Sequence, residues 1–223
     1  MRAALTIAMR DLRSELRGKE AINASVSFAL VILLIFSFAF EPTAEETRAI
    51  SGGLLWIAFA FAGALILNRG FARETPNDCL DVLVASPAPG WAIFLGKALA
   101  SFVLLWGVEL LCLPAFGIFY GVRWWRALGP LLLVLLLGTW AMTVLGATFS
   151  ALTVNIRLRE LMLPLLLYPA LAPALMASME LTTALLAGEP LQGNNIAWLK
   201  LLIGYDVIFT ALALALIDFV LVV

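Results

Sequence analysis

The sequence predicts an all-α membrane protein with six transmembrane helices. Of its 223 residues, 63% are hydrophobic and 13% are charged, whereas an ordinary soluble domain carries about 25% charged residues. Several apolar runs exceed about eighteen residues, which is enough for a helix to cross a bilayer. Helices are expected because lipid offers no partner to exposed backbone groups. We therefore expect a single transmembrane domain over residues 1–223.

The chain opens with a predicted amphipathic helix over residues 3–19, inside an N-terminal segment 1–21. Its apolar stripe has helical spacing and consists of Leu5, Met9, Leu12 and Leu16. The charged residues that flank the stripe are Arg10, Arg13 and Arg17 on one side and Asp11 and Glu15 on the other. We expect this helix to lie in the membrane interface with its arginines toward lipid phosphates. A plain polar leader is the alternative.

Six apolar segments follow as candidate spans. They cover 22–40, 49–68, 92–120, 128–153, 161–178 and 198–221. The region of the fifth span is too long for one crossing, because Leu161 to Gly188 would make a helix of about 42 Å against a hydrocarbon core of about 30 Å. We expect the chain to break or protrude there, with a short outer-face helix at 179–187 followed by a loop.

The lysines and arginines orient these spans, because cytoplasmic loops carry an excess of them. If the N-terminus is cytoplasmic, ten of the 14 basic residues fall inside and four outside. The inside set is Arg2, Arg10, Arg13, Arg17, Lys19, Arg69, Arg73, Lys97, Arg157 and Arg159. The outside set is Arg48, Arg123, Arg126 and Lys200. This asymmetry predicts that both termini are cytoplasmic.

A polar stretch at 69–97 separates the second and third spans on the predicted cytoplasmic side. Thr75 and Pro76 suit the start of a helix, and Pro87 ends it. The pattern predicts a short amphipathic helix at 76–86, about 15 Å long. Two interpretations stay open at this point: a surface helix resting on lipid, or a docking element for a cytoplasmic partner.

The docking interpretation assigns contacts within the loop 73–90. Leu80, Leu83 and Val84 are apolar anchors at helical spacing, and Asp81 is a charged contact on another face. The full set of candidate docking residues is Arg73, Glu74, Leu80, Asp81, Leu83, Val84 and Pro87. Arg73 and Glu74 lie at the hinge where the loop leaves the membrane.

Histidine is absent, which excludes a histidine metal site, a histidine-ligated haem iron and a histidine-activated nucleophile on this chain. We expect no catalytic residue and no metal site. GWAIFLGKA at 90–98 has a wrong glycine spacing for a phosphate loop, and alanine replaces the serine or threonine. The net charge of −1 gives no electrostatic case for nucleic acid.

Two acids within apolar spans are candidate functional residues, Glu109 and Asp206. An ionised side chain near the bilayer centre is expensive, so such residues usually face the interior of the bundle. Glu109 either serves a transport role or is a protonated acid that is hydrogen-bonded within the bundle.

Two sets of residues together resemble a known family. The first set is Arg69, Phe71, Leu80, Asp81, Leu83, Pro87 and Lys97. The second set is LLLGT at 135–139, LGA at 145–147, ALTV at 151–154, Arg157, Pro169 and Pro173. With them the chain resembles, nearly end to end, the CcmB family of haem-exporter B subunits in cytochrome c maturation. The first set is shared by many ABC exporter permeases, and the family usually has glycine where Asp78 stands.

The resemblance implies a six-span permease half in the bacterial inner membrane that binds no cofactor itself, with haem handled by the complex. It implies a homodimer in which each copy binds a CcmA-like ATPase subunit through the helix 76–86. The further partners implied are CcmC-like and CcmD-like membrane subunits and, indirectly, a CcmE-like periplasmic haem chaperone. The subunit either conducts haem or couples ATP hydrolysis to chaperone release.

Three other functions stay open. An ABC exporter permease for a different hydrophobic substrate would share the docking helix. A non-transporting assembly subunit would tolerate its loss without losing ATP coupling. An integral membrane enzyme would need polar groups that converge at one depth. Co-purification with an ATPase separates these cases.

Overall fold

The computed structural model describes residues 1–40, 45–69, 89–153 and 159–222. Within these ranges the chain forms seven α-helices and one short 3₁₀ helix. The helices are α1 (Arg2–Gly18), α2 (Glu20–Ala39), α3 (Glu45–Leu67), α4 (Gly90–Tyr120), α5 (Leu128–Thr153), α6 (Arg159–Ala187) and α7 (Asn194–Val222), with the 3₁₀ helix Trp124–Ala127 before α5. The all-α class that the sequence predicts is confirmed.

The helices α2 to α7 are long and apolar enough to cross a membrane, which makes six candidate spans within the described ranges. They correspond in order to the six apolar segments of the sequence. Together with the composition of the chain, they identify a multi-pass membrane protein.

The prediction of a separate outer-face helix at 179–187 is wrong. The helix α6 runs without a break from Arg159 to Ala187, although Pro164, Pro169 and Pro173 lie inside it. Transmembrane helices tolerate such prolines because neighbouring helices and local adjustments of the helix satisfy the backbone groups that proline leaves without a partner.

Packing on α3 explains why α6 continues. Leu181 and Leu185 are buried on its inward face. The indole nitrogen of Trp56, in α3, donates a hydrogen bond to the hydroxyl of Thr182 at 2.9 Å. The helix therefore outlasts the predicted span 161–178, and Gly188, with φ of 87°, turns the chain toward α7.

The core lies around α3, whose Leu55, Trp56 and Phe59 are fully buried. Two glycines of α5 allow this helix to lie close to α3. A Cβ atom at Gly138 would overlap Cη2 of Trp56, and one at Gly146 would overlap Cδ1 of Leu67. The two glycines therefore form one face that receives α3, as small residues do between membrane helices.

The N-terminal helix α1 packs against the first turns of α4. Ala4 and Ile7 of α1 are buried, and a Cβ atom at Gly96 would lie 2.8 Å from Cβ of Ile7. Lys19, in the left-handed conformation with φ of 55°, makes the corner between α1 and α2. Most of the predicted apolar stripe is not packed against the other helices: Leu5, Met9 and Leu16 are 59%, 52% and 51% exposed.

Candidate functional site

Ion pairs connect both ends of the polar stretch 69–97 to the N-terminal helices. At one end, Nη1 of Arg69 lies 3.4 Å from Oε2 of Glu20, the first residue of α2. At the other end, Nζ of Lys97 in α4 lies 3.3 Å from Oδ2 of Asp11 in α1. The helices α1 and α2 are thus linked by ion pairs to the first and last residues of the polar stretch 69–97.

The second ion pair is the more buried of the two. The side chain of Lys97 is 2% exposed and that of Asp11 is 21% exposed, whereas the Arg69 and Glu20 side chains are 40% and 79% exposed. A buried charge is costly without a partner, so the Asp11 carboxylate offsets part of the cost of burying the Lys97 ammonium group.

The sequence around Lys97 explains how α1 comes close enough. Gly96 has no side chain, so the backbone of α4 lies directly against Ile7 and the carbonyl oxygen of Ala4. Asp11, one turn beyond Ile7 on α1, then lies within reach of the long lysine side chain. Asp11 is also held by Arg10, whose Nη2 lies 2.9 Å from its Oδ1.

The predicted docking residues lie outside the described residues, because the gap covers residues 70–88. This set comprises Arg73, Glu74, Leu80, Asp81, Leu83, Val84 and Pro87. The helix 76–86 therefore stays a prediction. The structure describes its surroundings: Arg69 before the gap, and Pro89, which caps the start of α4.

Glu109 lies in the interior of the bundle and is 0% exposed. The Thr139 hydroxyl oxygen, on α5, is 2.6 Å from Oε2 of Glu109 and 2.6 Å from the carbonyl oxygen of Leu135. A hydroxyl has one hydrogen and can donate to only one of them. Both contacts are satisfied if Thr139 donates to Leu135 and a protonated Glu109 donates to Thr139.

The second carboxyl oxygen of Glu109, Oε1, has no hydrogen-bond partner among the described residues. The same holds for both carboxyl oxygens of Asp206 on α7, a side chain that is 7% exposed. The structure therefore does not join Glu109 and Asp206 by a hydrogen bond. Each is a separate buried acid, on α4 and α7.

Two contacts escape prediction from sequence patterns. Lys97 enters the charge count and the family pattern, but neither gives it a partner. Thr139 belongs to the motif LLLGT without an assigned role. The available signal is general: a charged residue inside an apolar run requires a partner, and Lys97 and Glu109 are such residues.

No group of three or more cysteine, aspartate or glutamate side chains is placed to hold a metal ion in the part of the chain that the structure describes. Cys112 is buried and not in a disulfide.

Known proteins resemble the chain over most of its length. The model of the family described as CcmB protein matches residues 2–220. Heme exporter protein B of Pseudomonas aeruginosa is 35% identical over 203 residues, which is 91% of this chain and 86% of the relative. Heme exporter protein B of Rhodobacter capsulatus is 34% identical over 181 residues, 81% of each chain. The protein of that name from Paracoccus denitrificans is 32% identical over 179 residues, 78% of this chain and 79% of the relative.

Proposed function

The chain belongs to the CcmB family, and from this membership we propose that it is the permease subunit of an ATP-driven haem export complex. Its relatives are named heme exporter protein B, and the family model matches residues 2–220, which include the N-terminal helix and the apolar helices. Their bacterial sources favour the inner membrane as its location. The subunit is non-catalytic, and a separate CcmA-like partner hydrolyses ATP.

The proposed orientation places both termini in the cytoplasm. The ten-to-four distribution of basic residues supports it. In this orientation α1, Arg69 and Lys97 lie at the cytoplasmic surface, and the loop between α6 and α7 lies outside. The segment 70–88 then faces the compartment where an ATPase finds its nucleotide.

The ATPase docks on the helix 76–86, with Leu80, Leu83 and Val84 as anchors in a groove of the partner. Arg73, Glu74 and Asp81 contribute polar contacts, and Pro87 sets the end of the helix. This mode of recognition needs a short amphipathic helix held at a fixed position. It is the part of the proposal that rests on the sequence pattern alone.

The observation that carries the coupling role is the pair of ionic contacts beside this segment. Arg69 contacts Glu20 before it, and Lys97 contacts Asp11 after it. A displacement of the docked helix would pull on α3 and α4, because these helices precede and follow it in the chain. Through these contacts it would also act on α1 and α2. The N-terminal corner would therefore move with the transmembrane helices rather than independently.

Two copies of the chain form the membrane part of the complex, with CcmC-like and CcmD-like subunits beside them. The sequence contains no histidine, so a histidine ligand for haem iron must come from a partner. The complex then supplies a CcmE-like chaperone, either by passing haem through the B subunit or by releasing the loaded chaperone.

Co-purification tests the proposal. The tagged full-length chain, extracted from its native membrane in mild detergent, should retain an ATPase subunit at a one-to-one ratio. Retention of an ATPase together with loss of c-type cytochromes on deletion of the gene would support haem export over another hydrophobic substrate. Absence of any ATPase from the intact complex would favour a non-transporting assembly subunit.

A further inference from the structure

A cavity of about 230 Å³ opens between α1, the end of α3 and the first turns of α4. It is far larger than the roughly 15 Å³ that one water molecule needs. Its floor is apolar and formed by Ile66, Ala100 and Leu104, each less than 9% exposed. The other lining residues are polar or charged, and two of them, Lys97 and Ser101, lie on α4 beside Ala100 and Leu104. The cavity therefore offers both polar and apolar contacts.

The lining carries three positive charges, on Arg10, Arg69 and Lys97, and two negative charges, on Asp11 and Glu15. Glu20, the ion-pair partner of Arg69, is 79% exposed and does not line the cavity. The two arginine side chains are 51% and 40% exposed, while Lys97 is 2% exposed. The guanidinium groups are therefore the accessible cations, and the ammonium group adds positive charge from behind them.

We infer that this cavity binds the phosphate group of a membrane phospholipid between Arg10 and Arg69. Guanidinium groups match phosphate oxygens with paired, charge-assisted hydrogen bonds. The apolar floor provides a surface for the first carbons of the acyl chains, which a free phosphate would leave unused. The exposed stripe of Leu5, Met9 and Leu16 beside the cavity has the composition of a helix that lies in the headgroup region.

The carboxylates of Asp11 and Glu15 also line the cavity and would repel a phosphate placed against them. Asp11 is engaged by Lys97 and Arg10, which offsets its charge locally. The phosphate position that the charges favour is thus at the mouth, between the two arginines, with the lipid glycerol toward the floor. A lipid bound there would join α1 to the end of α3. The inference rests on the cavity and its charges and not on the proposed haem export.

The test is lipid retention by the full-length protein, measured by native mass spectrometry in detergent. The probe is phosphatidylglycerol with two oleoyl chains, titrated into delipidated protein. The test variant is Arg10→Gln with Arg69→Gln. Both side chains are partly exposed, so the fold should survive, and each single variant serves as a check. The control is Arg123→Gln with Arg126→Gln, which removes the same charge from two exposed side chains that do not line the cavity.

The expected result is one tightly retained lipid in the wild type and in the control. In the test variant, the loss of two charge-assisted contacts should weaken the affinity by roughly tenfold or more. An equal loss in the control would mean general surface attraction and would overturn the inference. So would the absence of retained lipid in the wild type. Displacement by glycerol phosphate as effective as displacement by the intact lipid would show that the cavity takes free phosphate instead.

Discussion

The ammonium nitrogen of Lys97 in α4 lies 3.3 Å from a carboxylate oxygen of Asp11 in α1, and the lysine side chain is almost fully buried. These residues are 86 positions apart in the sequence. Their contact fixes the N-terminal helix to the helix that follows the proposed docking segment.

Removal of the carboxylate should destabilise the protein. In Asp11→Ala, the Lys97 ammonium group loses a charged partner in a buried position, which should cost up to about 3 kcal/mol. The double variant Asp11→Leu with Lys97→Met should recover most of this loss, because it replaces the ion pair by apolar groups. Thermal unfolding in detergent measures both. Equal stability of Asp11→Ala and the wild type would show that the contact contributes little.

The sequence predicts the helical class and the number of spans because the length of an apolar run alone determines them. It does not predict the continuous α6, because the relevant contacts are tertiary. Trp56 of α3 bonds to Thr182, and this contact extends a helix that length arguments would end near residue 178. Lys97 and Glu109 similarly indicate that partners are needed without indicating which ones.

The effect of replacing Glu109 should depend on whether the new side chain can donate a hydrogen bond to Thr139. Glu109→Gln retains a donor for the Thr139 hydroxyl, so the complex should assemble and support cytochrome c maturation. Glu109→Leu removes that donor and should impair function while the complex still assembles. The measurement is the level of c-type cytochromes beside the membrane level of the protein. If Glu109→Leu is neutral or slightly stabilising, Glu109 is only a tolerated buried acid.

Gly138 should not accept a methyl group. In Gly138→Ala, the new Cβ would overlap the fully buried Trp56 ring. Such overpacking should lower stability by about 1–3 kcal/mol. The matched control is Gly107→Ala in α4, where a Cβ has no neighbour within 4 Å. A decreased melting temperature in both variants would indicate a general effect of alanine rather than contact with Trp56.

The orientation can be measured by cysteine labelling with a reagent that does not cross the membrane. In a background lacking Cys79 and Cys112, the reagent applied from outside should reach cysteines placed at positions 44 and 192. It should not reach positions 78 or 157, which the charge asymmetry places inside. Labelling of position 78 from the outside would show that the orientation is the reverse of the proposed one. The docking segment would then lie on the side of the membrane opposite to the ATPase.

In the proposed complex, the segment 76–86 binds the ATPase. Leu83→Asp would put a charge into the apolar groove of the partner, at a cost of a few kcal/mol, or roughly a hundredfold in affinity. Because no span is changed, the protein should still insert. Asn77→Asp, on the polar face of the same helix, is the control and should retain the partner.

The most direct measurement is ATPase retention by the purified full-length chain, with the membrane level of each variant determined side by side. We expect Leu83→Asp to reach the membrane at the wild-type level and to lose the ATPase and cytochrome c maturation. A helix that only rests on lipid would leave ATPase retention unchanged in Leu83→Asp, and that result would contradict the proposed docking.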